Sequence, residues 1–233
     1  MVCRGTAKVA ALIPAAGRSS RMEGGAKLER TIDGVPMLRR AAIRAHRAGM
    51  QPLIVVGASG RASEILGDIP HRLVINESPE RGLGYTLRLG VETLSGDVAG
   101  VTVLLPDMPH VTTSMLRRLA QLFARGTRPI VASRYGDLVA PPVIFARELF
   151  GELAGGEADS HGRSVIARDP GRVRLVSFPR WRGMDVDTRA DLRRARAVVC
   201  RLRSPPATRH AQPARPQIAQ MTQKRRCNSG TQE

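Results

Sequence analysis

Aromatic residues, lysines and long apolar runs are scarce in this chain of 233 residues. Phe, Trp and Tyr together make up 3% of it, so its core must be built from Leu, Val, Ile and Ala. The same scarcity argues against binding to single-stranded nucleic acid, which uses aromatic side chains as stacking platforms. No apolar run approaches the ~20 residues that a membrane-spanning helix needs. Apolar residues nevertheless account for 42% of the chain, which excludes disorder over its whole length.

Cysteine is also scarce, and its spacing fits no structural role. The three cysteines, Cys3, Cys200 and Cys227, are odd in number and lie near the ends of the chain. They form neither a disulfide framework nor a zinc-binding spacing. Residues 1–7 are predicted to be a short extension, and no small-residue cleavage site follows them, so a secretory signal is not expected. A cytoplasmic location is the resulting prediction.

The net charge of +17 comes from 37 basic and 20 acidic residues, and all but three of the basic residues are arginines. Residues 201–233 carry +6 of that charge, which leaves +11 for residues 1–200. A basic body suits a polyanionic partner, either nucleic acid or a phosphate-rich small molecule. A general bias toward arginine explains most of the charge, and no recognised nucleic-acid-binding motif accompanies it. We therefore expect no nucleic-acid partner and no membrane partner.

Apolar segments alternate with helical segments through the first half of the chain. The predicted strands are residues 8–14, 52–57, 72–76 and 99–105, and the predicted helices are 36–49, 61–68, 84–94 and 112–124. Strands that are apolar along their whole length are expected when helices cover both faces of a sheet. The pattern predicts an α/β fold, specifically a Rossmann-like, doubly wound, mostly parallel sheet in a single domain.

The pattern is looser beyond residue 125. Strands are predicted at 128–134, 139–145 and 173–178, helices at 147–153 and 188–199, and a Gly-rich polar loop at 154–161. The domain is thus expected to span residues 8–199. Residues 200–233 contain four prolines among polar and basic residues and show no apolar period, so they are predicted to be a disordered basic tail.

The loop that follows the first predicted strand has the composition of a phosphate cradle. Its sequence, I-P-A-A-G-R-S-S-R-M-E-G-G-A-K, begins at Ile13. Small side chains let backbone amides approach a ligand, and cations supply charge. The small residues are Ala15, Ala16 and Gly17, and the cations are Arg18, Arg21 and Lys27. The loop lacks the G-x-G-x-x-G fingerprint of dinucleotide sites, and Leu28 replaces the Ser or Thr that follows the lysine of a Walker A loop.

A second motif, Pro106-Asp107-Met108-Pro109, follows the fourth predicted strand. The flanking prolines restrict the backbone and predict a stiff turn. An aspartate at a strand end beside a phosphate loop suits Mg²⁺, which is usually held by one or two carboxylates together with substrate phosphates. The alternative is a turn or helix-capping aspartate.

A third motif precedes the last predicted helix. Thr188 and Asp191 have the spacing of a capping box, with Asp in place of Glu, so Thr188 is expected to begin that helix. Asp187 could then be structural. Asp185 would share a face with Asp187 in an extended segment and is a candidate for a second metal ligand. The sequence leaves open which of the two binds metal.

Together these motifs resemble those of the MobA-like nucleotidyltransferases, with the molybdenum cofactor cytidylyltransferases as the most similar branch. The first loop resembles L-A-A-G-x-S-x-R-M-G-x-x-K, and Pro106–Pro109 resembles P-D-M-P. Residues 76–87 are similar to N-x(5)-G-x-x-x-S-L, and residues 185–188 are similar to D-I-D-T. The resemblance extends over residues 8–198, and four motifs in the same order make it specific.

The sequence departs from the family pattern at several positions. Pro14 replaces Leu, Glu23 replaces Gly, and Thr86 replaces Ser. Residues 140–142 read A-P-P instead of G-x-P, and residues 157–163 match G-D-x-G-A-R only in part. The last two segments lie where the family's acceptor is expected to bind, so the acceptor is less well defined than the reaction.

The resemblance implies transfer of CMP from CTP to the terminal phosphate of a molybdopterin-type molybdenum cofactor, with Mg²⁺ and release of pyrophosphate. Arg21 and Lys27 would hold the β- and γ-phosphates, and residues 15–18 would contact the nucleotide. Asp107 and Asp185 would bind Mg²⁺. Asn76, Gly82 and Thr86 would line the pocket for the base and the ribose. Among the histidines, only His110 lies beside one of these motifs.

Other functions are compatible with parts of this pattern. Within the same class, the enzyme could use GTP or act on a sugar or alcohol phosphate. Outside it, the chain could be a non-catalytic carrier of the molybdenum cofactor or a basic nucleic-acid-binding protein. The presence of Arg21, Lys27 and Asp107 favours an enzyme. A molybdoenzyme or its maturation chaperone would be the protein partner.

Overall fold

A computed structural model describes residues 7–16, 27–51, 53–57, 61–155 and 162–203. Gly17, Arg18 and Arg21 of the predicted phosphate loop lie outside these ranges. So do most of the 157–163 segment and the predicted tail beyond residue 203, so the predicted division into extension, domain and tail stays a prediction.

A seven-stranded, mostly parallel sheet forms the centre of the described chain, in the order β5-β4-β1-β6-β8-β7-β9. Its strands are β1 (Val9–Ala15), β4 (Leu53–Gly57), β5 (Arg72–Ile75), β6 (Gly100–Val103), β7 (Ile130–Tyr135), β8 (Leu138–Ala146) and β9 (Val173–Phe178). Strand β8 runs antiparallel to both of its neighbours, whereas every other pair in the sheet is parallel. The predicted α/β class and sheet type are confirmed.

Helices cover both faces of this sheet. They are α1 (Met37–Arg47), α2 (Arg61–Leu66), α3 (Gly82–Glu92), α4 (Thr113–Ala124), α5 (Phe150–Ala154), α6 (Arg163–Arg168) and α7 (Arg189–Arg203). Short 3-10 turns lie at Lys27–Glu29, Pro79–Arg81, Arg147–Leu149, Pro170–Arg172 and Arg180–Gly183. Among the described helices, none combines the length and hydrophobicity needed to cross a bilayer. The sequence predicted neither α6 nor the turn at Arg180–Gly183.

Alternate side chains of β1 enter two separate cores, as expected for a strand covered on both faces. Ala11 and Ile13 pack with the core formed by α1, α2 and α4, whereas Ala10 and Leu12 pack with the core formed by α3 and α5. Helix α3 can lie close to β1 because Gly90 has no side chain; a Cβ atom there would collide with the Leu12 side chain. Strand β1 therefore lies between two helical layers.

A hairpin precedes α1 that the sequence analysis did not predict. Strands β2 (Thr31–Ile32) and β3 (Val35–Pro36) are joined by Asp33 and Gly34, which have φ angles of 57° and 74°. Two positive φ angles define the tight turn that favours Asp-Gly. The Asp-Gly signal was present in the sequence, but two-residue strands are too short to show an alternating pattern. Helix α7 packs against this hairpin in a third apolar cluster that includes Ile32 and Val186.

The carboxyl ends of six strands meet at one edge of the sheet, together with the beginning of β8. The loops at that edge include residues 104–110, 76–82 and 179–188. Ligands of open α/β sheets bind in the crevice outside such an edge. The described parts of the motifs identified in the sequence therefore lie at the expected side of the sheet.

Candidate functional site

Lys27 lies between two carboxylates at this edge. Its Nζ atom is 2.9 Å from Asp107 Oδ2 and 2.7 Å from Asp187 Oδ1. The lysine side chain is 13% exposed. Burial alone would lower the pKa of Lys27, but the charges and hydrogen bonds of Asp107 and Asp187 outweigh it, so the pKa of Lys27 is raised. Lys27 is therefore a fixed positive charge at neutral pH.

Backbone contacts bring the three segments of this site together. The Val186 amide donates to the Asp107 carbonyl over 3.0 Å, and the Val186 side chain is buried in the α7 cluster. Side chains on either side of a buried residue in an extended segment point away from it. Asp185 and Asp187 thus belong to the opposite face, and Asp187 reaches Lys27.

The predicted capping box at the start of α7 is present. Thr188 N donates to Asp191 Oδ2 over 2.9 Å, and Asp191 N donates to Thr188 Oγ1 over 3.2 Å. A structural role of Asp187 in this cap was one of the two roles that the sequence left open, and the Asp187 backbone amide does donate to Asp191 Oδ2. Its carboxylate, however, is turned toward Lys27, a contact that local spacing could not reveal.

Asp185 lies at the exposed rim of the same site. Burial of its carboxyl group, followed by the negative charges of Asp187 and Asp107, raises the pKa of Asp185, while Lys27 acts in the opposite direction. The group is therefore close enough to sense all three charges. A cation placed among these carboxylates would relieve their repulsion.

The donor set fits a divalent metal that is shared with a substrate. Asp107 Oδ1 is buried and has no hydrogen-bond partner among the described residues. A buried oxygen without a donor is costly, and a metal ion would satisfy it. Within the described chain, no three His, Cys, Asp or Glu side chains are close enough to hold a metal by themselves. Mg²⁺ usually completes its shell with water and phosphate oxygens, so this site would need substrate oxygens.

The start of the predicted phosphate loop is described at Ala15 and Ala16. Ala15 ends β1 and pairs with Gly57 of β4, and Ala16 is buried. Lys27, where the described chain resumes, begins a 3-10 turn. The two ends of the loop therefore lie at the same sheet edge, and the predicted contacts of Gly17, Arg18 and Arg21 stay predictions.

Asn76, Gly82 and Thr86 form a connected network at the end of β5. Asn76 Nδ2 donates to Thr86 Oγ1 over 3.0 Å, and Thr86 Oγ1 donates to the Gly82 carbonyl over 3.2 Å. Gly82 has φ 83° and ψ −175°, a conformation that glycine alone adopts readily. Asn76 and Thr86 are both buried, so they shape the loop between them. Direct contact of these residues with a nucleotide remains a prediction.

This network and Asp107 lie on different strands of the sheet. Strands β5 and β6 are separated by three strand spacings in the order β5-β4-β1-β6. At about 4.8 Å each, their ends are about 14 Å apart. A nucleotide with its base near β5 and its phosphates near β1 and β6 would cross that interval.

The segment predicted to face the acceptor is held by buried hydroxyl groups. Tyr135 OH donates to the Pro141 carbonyl over 3.0 Å, and Ser133 Oγ donates to the Pro142 carbonyl over 2.8 Å. Tyr135 also packs against Gly183, where a Cβ atom would collide with its ring. The Pro141-Pro142 segment and the Arg180–Gly183 turn are thereby fixed to each other.

His110, which follows the Asp107 turn, is buried and surrounded by cations. Burial, followed by the positive charges of Arg44, Arg40 and Arg182, lowers the pKa of His110 from 6.5 to about 4. Its ring meets that of Trp181 edge-on at 5.4 Å between centroids. His110 is thus a neutral residue of the fold at physiological pH.

This environment predicts a specific acid sensitivity of the fold. A histidine with a depressed pKa binds fewer protons when folded, so its contribution to stability is complete above its unfolded pKa and declines as the pH falls toward the folded value. When the pH falls from 8 to 5, protonation of His110 in the unfolded state should lower the free energy of unfolding by about 2 kcal/mol. We expect His110→Asn to reduce the loss of stability over this range, as measured by urea unfolding at both pH values. Equal losses in the wild type and the variant would contradict the assigned environment.

Comparisons with known proteins agree with this geometry. A model of the MobA-like NTP transferase domain matches residues 11–173. A probable molybdenum cofactor guanylyltransferase of Thermococcus kodakarensis is 27% identical over 190 residues, covering 77% of this chain and 90% of that protein. The bifunctional protein GlmU of Geotalea daltonii is 27% identical over 122 residues, covering 51% of this chain. The chain spans only 27% of the length of GlmU.

Solved structures show the same architecture. Rv0371c from Mycobacterium tuberculosis H37Rv superposes with a TM-score of 0.70 and 27% identity, covering 82% of this chain and 99% of that one. A complex of the same protein with manganese gives a TM-score of 0.66 and 26% identity over similar shares. Since the family model extends over more than half of the sequence and includes Lys27 and Asp107, the chain belongs to the MobA-like NTP transferase family and is a nucleotidyltransferase.

Proposed function

We propose that this nucleotidyltransferase transfers CMP from CTP to the terminal phosphate of a molybdopterin-type molybdenum cofactor, with Mg²⁺ and release of pyrophosphate. The observation that carries the proposal is the position of Lys27 between Asp107 and Asp187, at the sheet edge where the predicted phosphate loop ends. A fixed cation beside carboxylates suits a reaction in which phosphates must be held and neutralised.

The residues of the chain contribute positioning and charge. In-line attack of an acceptor phosphate on the α-phosphorus needs no protein nucleophile, since the acceptor oxygen is already ionised at neutral pH. Lys27, together with Arg21, would stabilise the negative charge of the departing pyrophosphate. Asp107 and Asp187 keep Lys27 protonated by raising its pKa. Ala15, Ala16 and Gly17 would allow backbone amides to approach the phosphates.

Nucleotidyltransferases commonly use divalent metals, and the residues of this site fit one. Asp107 would hold it through the Oδ1 atom that has no partner among the described residues, with Asp185 or Asp187 as the second carboxylate. When bound, Mg²⁺ would supply charge neutralisation to the reacting phosphates. The manganese complex of Rv0371c supports a divalent metal in a relative of the same fold.

GTP is the alternative nucleotide. The relative in Thermococcus kodakarensis is named as a probable molybdenum cofactor guanylyltransferase, which supports the molybdenum cofactor as acceptor and guanine as an alternative base. The first loop of this chain has Ala15-Ala16-Gly17, which resembles the cytidylyltransferase branch. Discrimination between bases depends on pocket shape and a few hydrogen bonds. A comparison of nucleotides in one assay distinguishes the two bases.

The test is pyrophosphate release in the presence of Mg²⁺ and molybdenum cofactor, with CTP, GTP, ATP and UTP compared in parallel. We expect release with CTP alone. A Lys27→Ala preparation made in the same way serves as the control for contaminating activities. Release with GTP would move the protein to the guanylyltransferase branch, and binding of a nucleotide without release would indicate a different acceptor.

A further inference from the structure

Arginine side chains from distant parts of the chain converge beside the Asp107 turn. Arg44 of α1 donates from Nη1 to the Pro109 carbonyl over 2.5 Å. Arg182 donates from Nη1 to the His110 carbonyl over 3.0 Å. These two arginines, here termed the cationic cluster, lie beside the neutral His110. The charge of Arg40 also acts on Arg44 and on His110.

Among the described residues, the charges that act on Arg44 and on His110 are positive. Burial first, and then the positive charges of Arg40 and Arg182, lower the pKa of Arg44 to about 9. The charges that act on His110 are those of Arg44, Arg40 and Arg182. The carbonyl oxygens of Pro109 and His110 are neutral, so they accept hydrogen bonds without cancelling charge. Like charges brought together at partial burial oppose folding unless an anion compensates for them.

A buried polar atom adds an independent observation. His110 is 3% exposed, and its Nε2 atom has no hydrogen-bond partner among the described residues. Arg44 and Arg182 are both partly exposed. Trp181, also partly buried, places its ring 4.4 Å from the Arg182 guanidinium carbon and edge-on to His110. The planar donors of Arg44 and Arg182 therefore lie beside the Trp181 ring and the buried Nε2 atom of His110.

We propose that the cationic cluster is a second oxyanion site, which binds a phosphate monoester group of the acceptor while the nucleotide phosphates are held near Lys27. Guanidinium groups form paired hydrogen bonds with phosphate oxygens and are suited to such a group. His110, which accepts from Arg182, follows Asp107 by three residues. Arg182 belongs to the Arg180–Gly183 turn, which is fixed to the predicted acceptor segment. This assignment of the ligand rests on the proposed function, whereas the anion site itself does not.

The experiment uses the single tryptophan of the chain, Trp181, as the reporter. The full-length protein is first saturated with Mg²⁺ and a non-hydrolysable CTP analogue, so that the nucleotide phosphate site is filled. Inorganic phosphate is then titrated, with chloride at equal ionic strength as the blank. Trp181 fluorescence and calorimetry follow binding. We expect saturable binding near one phosphate per chain.

Variants locate the bound anion. Arg44→Gln should weaken phosphate binding by roughly tenfold or more, since hydrogen bonds to a charged group are lost. Arg182→Gln, followed by calorimetry because it alters the surroundings of Trp181, should do the same. Arg47→Gln, an exposed arginine on the same helix, is the matched control and should bind as the wild type does. Circular dichroism checks that each variant is folded. If Arg44→Gln does not fold, Arg182→Gln at the partly buried Arg182 tests the proposal instead.

Two results would overturn the proposal. One is the absence of saturable phosphate binding in the wild type, and the other is binding that survives both Arg44→Gln and Arg182→Gln but is lost in Lys27→Ala. The latter would place the anion in the nucleotide site. Phosphate binding that depends on Arg44 but is accompanied by no pyrophosphate release with any nucleotide would support the anion site and contradict the proposed reaction.

Discussion

Replacement of Lys27 by alanine is expected to lower nucleotidyl transfer by about 10³-fold or more, because cationic clamps in phosphoryl transfer have effects of that size. The ammonium group is held by Asp107 and Asp187 at 2.9 and 2.7 Å, so its charge is preorganised at the site. Alanine removes the positive charge, so the carboxylates of Asp107 and Asp187 lose their contact with the Lys27 ammonium group. Initial rates of pyrophosphate release measure the loss.

A matched lysine provides the control. Lys8 precedes β1 and forms an ion pair with Asp97 over 2.6 Å, with both side chains well exposed. Exposed pairs of this kind contribute at most about 1 kcal/mol to stability. Lys8→Ala should therefore retain near wild-type turnover. Near wild-type turnover in Lys27→Ala would contradict the assignment of the phosphate site.

The same Lys27→Ala variant separates charge neutralisation from a loss of fold. In the absence of nucleotide, the ammonium group and a divalent cation compete for the carboxylates of Asp107 and Asp187. Its removal should therefore strengthen Mn²⁺ binding while it abolishes turnover. Calorimetry with Mn²⁺ alone measures this effect. Weaker Mn²⁺ binding would show that the two cations do not share these oxygens.

Asp107→Asn is expected to lower metal-dependent turnover by about 10²-fold or more, with the fold retained. Electrostatic groups aimed at developing charge have effects of this order when they are removed. The substitution keeps the shape of the side chain and leaves intact the hydrogen bond from the Val186 amide to the Asp107 backbone carbonyl. Turnover is measured against Mg²⁺ concentration, and unfolding by urea tests stability.

Neighbouring carboxylates make this experiment more informative. Asp97→Asn is the control and should be fully active, because Asp97 is exposed and pairs with Lys8 rather than with Lys27. Parallel Asp185→Asn and Asp187→Asn variants identify the second carboxylate by the larger rise in the Mg²⁺ requirement. An unfolded Asp107→Asn protein would assign a structural role in the turn to Asp107, and wild-type activity would remove it from the site.

Local sequence patterns predicted most of the elements that build this edge. The apolar positions of segment 36–49 have a helical period, and they are the residues that α1 buries, namely Met37, Leu38, Ala41, Ala42 and Ala45. Thr112 and Thr113 are both candidate caps of α4 by their position, and the structure shows that Thr112 accepts the hydrogen bond from the Met115 amide. The apolar residues of segment 84–94 predict a buried side formed by Leu87, Leu89, Val91 and Leu94. Leu87 and Val91 are buried, Leu89 and Leu94 pack against the same core while partly exposed, and Gly90 is buried as well. Hydrophobicity alone does not show where a helix approaches a sheet most closely.

The sequence by itself determined the sheet type, the helical layers and the edge at which the chemistry must lie. These follow from periodicity and from the ends of apolar segments, which are local properties of the chain. Only the tertiary structure decided that Lys27 bonds to Asp107 and Asp187, residues 80 and 160 positions away. It also decided that Arg44 and Arg182 meet at the His110 turn. These encounters depend on strand order and on the packing of α7 against the β2–β3 hairpin, and such long-range contacts leave no period or spacing in the sequence.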